Sequence, residues 1–93
     1  MEEKFIAAWA AARQKATALG VRMRPVDDKD ALQTARRCLS GHKHSDGFFA
    51  LADQGQLQLS LEALAVGKEF TSLFTDEQAN TALSRLLDAG YSF

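Results

Sequence analysis

The sequence predicts an all-α fold, a small irregular bundle of four to five helices. Apolar residues recur every three or four positions along several segments, and glycines stand where these segments end. The composition is that of an ordinary globular protein, with 46% hydrophobic residues, 25% charged residues and one proline. The 93 residues are enough for one modest core, so a single helical domain over residues 1–93 is expected.

The first predicted helix spans Glu2 to Leu19, and Gly20 follows as its C-terminal cap. Its apolar stripe has spacings of four and three and consists of Phe5, Trp9, Ala12, Ala16 and Leu19. One interpretation places this stripe in the domain's own core. In the other, the small alanines let a second helix approach closely, so that a protein partner, or a second copy in a homodimer, binds at Phe5, Trp9, Ala12 and Ala16.

The second predicted helix follows an extended segment around Pro25 and ends at Gly41, with Asp27 or Asp28 as its N-cap. Its buried stripe is predicted to be Ala31, Leu32, Ala35, Cys38 and Leu39. Two arginines, Arg36 and Arg37, fall in its last turn. Positive charge there complements the helix dipole and needs no ligand to explain it.

Residues 48–61 decide between two fold classes. A helix would begin at Phe48, capped by Ser45 or Asp46. A β-hairpin over the same residues would make the fold α+β. The first strand of such a hairpin would place Phe48 and Phe49 on opposite faces, and its alternation of apolar and polar residues is poor. We therefore prefer the helix.

The C-terminal third carries the strongest helix signals. Ser60 caps a short helix over Leu61 to Val66, and a further apolar turn contains Phe70, Leu73 and Phe74. Thr75 and Gln78 form a capping box at the start of the last helix, which Gly90 ends. The predicted apolar face of that helix consists of Ala79, Ala82, Leu83, Leu86 and Leu87. We expect the residues after it, Tyr91 and Phe93, to dock back onto this helix.

The segment from Ser40 to Gly47, here called the histidine loop, holds both histidines and follows the only cysteine. Four residues of suitable type for zinc lie close together there: Cys38, His42, His44 and Asp46. Gly41 ends the helix between the cysteine and the histidines, so the thiol is predicted to point into the core. We therefore predict no metal and no cofactor.

The histidine loop is also the candidate for binding an anion. A phosphate or carboxylate could be held by five basic side chains in and before the loop: Arg36, Arg37, His42, Lys43 and His44. Asp46 places a negative charge at the same spot, and a plain polar loop accounts for the sequence as well. An anion- or metal-binding module that uses residues 38–47 is accordingly an alternative function.

The charge is unevenly distributed along a chain whose formal net charge is −1. Residues 21–45 carry six bases against three acids, and residues 46–93 carry seven acids against two bases. A helix-turn-helix over the last two helices is disfavoured, because its recognition helix would begin with Asp76 and Glu77, which phosphates repel. A weak nucleic-acid binder is therefore only a further alternative, and no nucleic-acid partner is expected.

Catalysis has no support in the sequence. The serines lack a nucleophile-elbow context, no motif pairs two carboxylates, and there is no glycine-rich phosphate loop. Cys38 lies near histidines, but the fold rather than one loop normally brings a catalytic pair together. We expect a small soluble protein-protein interaction or regulatory domain without enzymatic activity. One cysteine and no secretory or membrane segment predict a cytoplasmic location.

Overall fold

The computed structural model describes residues 2–23, 29–41 and 43–91. Within these ranges there are five α-helices: α1 Glu2–Ala18, α2 Ala31–Ser40, α3 Phe48–Asp53, α4 Leu61–Val66 and α5 Asp76–Asp88. Two 3-10 turns lie between them, at Leu57–Leu59 and Thr71–Leu73. The described residues contain no strand, so the all-α prediction is confirmed.

The alternative of a hairpin over residues 48–61 is wrong. Phe48 and Leu51 are both buried while Phe49 is exposed, which is the burial pattern of a helix face rather than of a strand. After α3 the chain continues into the first 3-10 turn, Leu57–Leu59, where Leu57 is buried and Leu59 is half-buried. The apolar residues of this segment therefore reach the core from two short helical turns.

The buried apolar residues of the described ranges form two hydrophobic clusters. The first joins α1, α2 and α4 to the 3-10 turn at Thr71–Leu73, and the Phe5 ring lies 5.5 Å from each of the Phe70 and Phe74 rings, centroid to centroid. Both of these contacts are edge-on, the arrangement that aromatic pairs favour. The second cluster lies where α1 and α5 end, and its buried members are Ala16, Val21, Phe48, Leu51, Leu57 and Leu86.

The apolar stripe of α1 runs through this core. The four residues predicted to bind a partner, Phe5, Trp9, Ala12 and Ala16, are all buried in the monomer. The stripe is thus the core face of its own domain, the first of the two interpretations. Only Leu19, which lies beyond the helix end, is substantially exposed, at 41%. A partner could reach the other four only if the core opened, so the homodimer finds no support at this face.

The end of α5 shows why its C-terminus is docked. The Gly90 N–H donates to the Leu87 carbonyl at 3.0 Å and the Tyr91 N–H donates to the Leu86 carbonyl at 2.9 Å, with Gly90 at φ +83°. This pair of bonds is a Schellman motif, which needs a residue in the left-handed conformation. Tyr91 then packs against the second cluster, as predicted, whereas Phe93 lies outside the described residues.

Two predicted helix starts need correction. The N-cap of α2 is Asp30, whose side chain makes no capping hydrogen bond, while the predicted caps Asp27 and Asp28 lie outside the described residues. The N-cap of α3 is Gly47 at φ +77°, rather than Ser45 or Asp46. The side chain of the buried Ser45 instead hydrogen-bonds to Glu62, and so it does not cap α3.

Two predicted core residues also differ. Cys38 is half-buried rather than buried, and Leu87 is 55% exposed. The place expected for Leu87 on the buried face of α5 is taken by Arg85, which is only 7% exposed. A side chain two positions further along a helix points away from the first, so burying Arg85 exposes Leu87.

The capping box at α5 is present as predicted. The Gln78 N–H donates to Thr75 Oγ1 at 3.1 Å, and the Thr75 N–H donates to Gln78 Oε1 at 2.9 Å. We expect Thr75→Ala to lower the free energy of unfolding by about 1 kcal/mol, because one end of this reciprocal cap is lost. Urea denaturation followed by circular dichroism measures it. Thr71→Ala, at an exposed threonine that caps no helix, should cost less; equal losses would contradict the prediction.

Candidate functional site

A buried ion pair lies behind the histidine loop. Glu62 on α4 has no exposed surface, and its Oε2 lies 3.1 Å from Nη1 of Arg85 on α5. Fully buried carboxylates are rare unless they are paired and hydrogen-bonded, because the loss of hydration on burial costs a charged group roughly several kcal/mol. Glu62 meets this condition through two residues, Arg85 and Ser45.

Ser45 connects this ion pair to the histidine loop. Its N–H donates to Glu62 Oε2 at 3.1 Å, and its hydroxyl donates to Glu62 Oε1. On the other side, Arg85 Nη2 donates to the carbonyls of Cys38 at 3.3 Å and Gly41 at 3.0 Å. The last carbonyls of a helix have no partner within the helix, so Arg85 caps the end of α2 from another element.

The Cys38 thiol lies close to this network but is a poor nucleophile. Burial raises the pKa of the thiol, the Glu62 charge raises it further, and Arg85 only partly opposes this. The thiolate is the reactive and metal-binding form, so a raised pKa disfavours both roles. In the part of the chain that the structure describes, no three His, Cys, Asp or Glu side chains could hold a metal ion together. His42, one of the residues weighed for such a site, lies outside it.

An open pocket of about 530 Å³ lies between the histidine loop and α3. Its described lining consists of Lys43, His44, Ser45, Gly47, Phe48, Phe49 and Ala50. This lining combines a lysine, an imidazole and two phenyl rings, and it includes no carboxylate. Asp46 belongs to the same loop but does not line the pocket.

The His44 ring contacts both phenylalanines. Its centroid lies 4.8 Å from that of Phe48 and 4.6 Å from that of Phe49, with the planes tilted by 44° and 48°. Phe48 is buried in the second cluster, whereas Phe49 is 63% exposed. The core therefore anchors the Phe48 ring, and the Phe49 ring presents a large apolar surface to solvent.

Gly47 lets the loop pack closely against the segment that follows α1. A Cβ built on Gly47 would lie 2.8 Å from Val21 Cγ1 and 3.0 Å from Met23 Cγ, and the glycine has φ +77°. Both the left-handed backbone and the lack of space require glycine here. This contact fixes the end of the histidine loop where α3 begins.

Four of the five residues predicted to bind an anion lie in the part of the chain that the structure describes, and they are not all brought together. Lys43 and His44 line the pocket together, and His42 lies outside the described residues. Arg36 donates through Nε and Nη2 to the Leu73 carbonyl, at 2.9 and 2.8 Å, and so it holds the second 3-10 turn. Arg37 is exposed on α2 and is not part of the pocket lining.

Comparison with known proteins finds no matching family model, no matching curated protein and no matching solved structure. Among the described residues, no helix has both the length and the apolar character needed to cross a membrane. Any proposal about function therefore rests on the loop, the pocket and the network behind them.

Proposed function

We propose that this protein is a non-catalytic protein-interaction domain that binds an acidic peptide segment of a partner protein in the pocket beside α3. The observation that carries the proposal is the exposed Phe49 ring, which contacts the His44 ring in a pocket that Lys43 also lines. In this arrangement an apolar side chain of the peptide would pack on Phe49. The acidic groups of the peptide would lie against Lys43 and His44.

The apolar part of the proposal follows from the exposure of Phe49. Fully burying a phenylalanine side chain is favourable by about 1.5 to 3 kcal/mol, and 63% of Phe49 is left in water. Aromatic side chains that are buried only on binding contribute much of the affinity of protein interfaces. Among the described residues, the other large exposed apolar side chains, Leu19 and Leu87, lie outside the pocket lining.

The charge of the pocket selects the partner. Its described lining contains a lysine and a histidine and no acid, although residues 46–93 are strongly acidic overall. A local positive patch on a slightly acidic protein favours partners with negative charge near the contact and disfavours basic ones. The partner segment should therefore contain aspartate or glutamate beside an aromatic or aliphatic residue.

Selection from a displayed random peptide library tests the proposal. We expect the selected peptides to combine acidic residues with an aromatic or aliphatic anchor, and Phe49→Ser to weaken their binding at least roughly tenfold. Fluorescence anisotropy with a labelled peptide measures the affinity. Lys43→Gln should weaken binding and reduce its dependence on salt, because it removes one charge that salt screens.

Leu87→Ser is the matched control, because Leu87 is 55% exposed and its replacement removes a similar apolar surface from α5. This variant should bind the peptides as the unchanged protein does. A library that yields no binders would overturn the proposal, as would peptides that bind Phe49→Ser and the unchanged protein equally well.

The anion-binding alternative uses the same pair, Lys43 and His44. If the site takes an anion alone, inorganic phosphate should displace the peptides and bind Phe49→Ser as well as the unchanged protein. We further propose a cytoplasmic location, which the single cysteine of the chain supports, since one cysteine forms no internal disulfide.

A further inference from the structure

We infer that Glu62 and Arg85 are positioning residues for the peptide site: their buried ion pair holds the histidine loop so that Lys43 and His44 lie beside Phe49. The inference rests on the proposed function for its ligand. The loop geometry on which it depends can be measured without any ligand, so the two can fail separately.

The first step concerns the attachment of the loop at Ser45. Both hydrogen-bond donors of Ser45 donate to Glu62, the N–H to Oε2 at 3.1 Å and the hydroxyl to Oε1. His44 is the preceding residue, and Ser45 itself lines the pocket. Any displacement of Ser45 from Glu62 would therefore move the His44 ring relative to Phe49.

The second step concerns the start of the loop. Arg85 Nη2 donates to the Gly41 carbonyl at 3.0 Å, while Nη1 of the same guanidinium contacts Glu62 at 3.1 Å. One ion pair thus fixes the loop at Gly41 and again at Ser45. The intervening span contains Lys43 and His44, so the two basic groups of the pocket lie between two fixed points.

The third step is energetic. Two charges buried together gain little stability compared with apolar residues of similar volume, because each loses its hydration. Apolar side chains could fill the space between α4 and α5. They could not accept a hydrogen bond from the Ser45 N–H, and they could not donate one to the Gly41 carbonyl. The ion pair therefore differs from an apolar pair in one respect: its hydrogen bonds hold the histidine loop in position.

Replacing both charges, Glu62→Met with Arg85→Met, tests the inference in the full chain. We expect the double variant to fold, with amide hydrogen exchange at Ser45 at least tenfold faster, because its N–H loses the Glu62 acceptor, and with exchange within α1 unchanged. The affinity for a peptide selected against the unchanged protein should fall at least tenfold. Either unchanged loop exchange or an unchanged peptide affinity would overturn the inference.

A second pair of variants decides the question if the double variant fails to fold. Ser45→Ala removes the hydroxyl that donates to Glu62 and leaves the ion pair intact. Ser60→Ala is its control, since Ser60 is also buried and its hydroxyl bonds to Leu57 and Ala63 rather than to the loop. Only Ser45→Ala should speed loop exchange and weaken peptide binding. Equal effects from both would show a merely structural role and overturn the inference.

These outcomes separate the two proposals. If the unchanged protein selects no peptide, the proposed function fails, and the exchange rates still decide whether the ion pair holds the loop. If peptides bind but neither Ser45→Ala nor the double variant alters their affinity, the proposed function stands and the positioning role is lost.

Discussion

Replacing Glu62 with leucine is expected to lower the free energy of unfolding by about 3 to 5 kcal/mol at neutral pH. The change leaves Arg85 buried at 7% exposure without its counter-charge, and it removes the acceptor of the Ser45 N–H. Water can replace neither partner, because both groups lie away from the surface. Breaking one side of a buried pair costs far more than replacing both sides together.

Urea denaturation followed by circular dichroism measures this loss. Glu69→Leu is the control, because Glu69 is exposed and such surface changes usually alter stability by less than about 0.5 kcal/mol. Glu62→Gln should fall between the two, since an amide of the same shape keeps hydrogen-bonding capacity but not the charge. If Glu62→Leu is as stable as Glu69→Leu, the ion pair is not a buried one in solution.

The helices could be predicted from the sequence because their signals are local. The stripe of α1 and the capping box at Thr75 and Gln78 depend only on residues within one helix, and the structure confirms both. The preference for a helix that begins at Phe48 is also confirmed, because the burial of Phe48 and Leu51 follows helical spacing. Short segments whose periodicity is readable within one element need no knowledge of the rest of the fold.

The network behind the loop could not be predicted, because its partners are distant in the sequence. Glu62 and Arg85 are separated by 23 positions. Glu62 is the one polar residue of the short helix α4, but Arg85 is one of many polar residues in α5. The available signal was the position of Arg85, one residue before the buried Leu86. A charged side chain on the buried face of a helix indicates that a residue of opposite charge lies beside it. Only the tertiary structure shows which residue that is.

The same limit applies to the anion site. Arg36 was grouped with the histidine loop because it is close in sequence, yet its guanidinium donates to the carbonyl of Leu73, 37 positions later. Lys43 and His44 do line one pocket, because they are adjacent residues of one loop. The sequence does not predict that Phe49 is exposed, because only the packing of α3 determines which of two neighbouring phenylalanines is buried.

Replacing Gly47 with alanine is expected to cost about 2 to 5 kcal/mol of unfolding free energy. The left-handed backbone alone costs a residue with a Cβ about 1 to 2 kcal/mol, and overpacking adds about 1 to 3 kcal/mol. The overpacking arises because the new Cβ would lie 2.8 Å from Val21 Cγ1. Val21 is buried and β-branched, so its side chain cannot turn away easily.

Gly55→Ala separates these two contributions. Gly55 also has a positive φ, +67°, but a Cβ there would meet no atom within 4 Å, so only the backbone cost of about 1 to 2 kcal/mol applies. Urea denaturation of both variants should show a larger loss for Gly47→Ala. In a Val21→Ala background, which has room for the new Cβ, Gly47→Ala should cost less than it does in the unchanged protein. If both glycine variants lose the same free energy of unfolding, the segment around Val21 can move aside at little cost to accommodate the new Cβ. The histidine loop would then be held by Glu62 and Arg85 and not by its packing against Val21 and Met23.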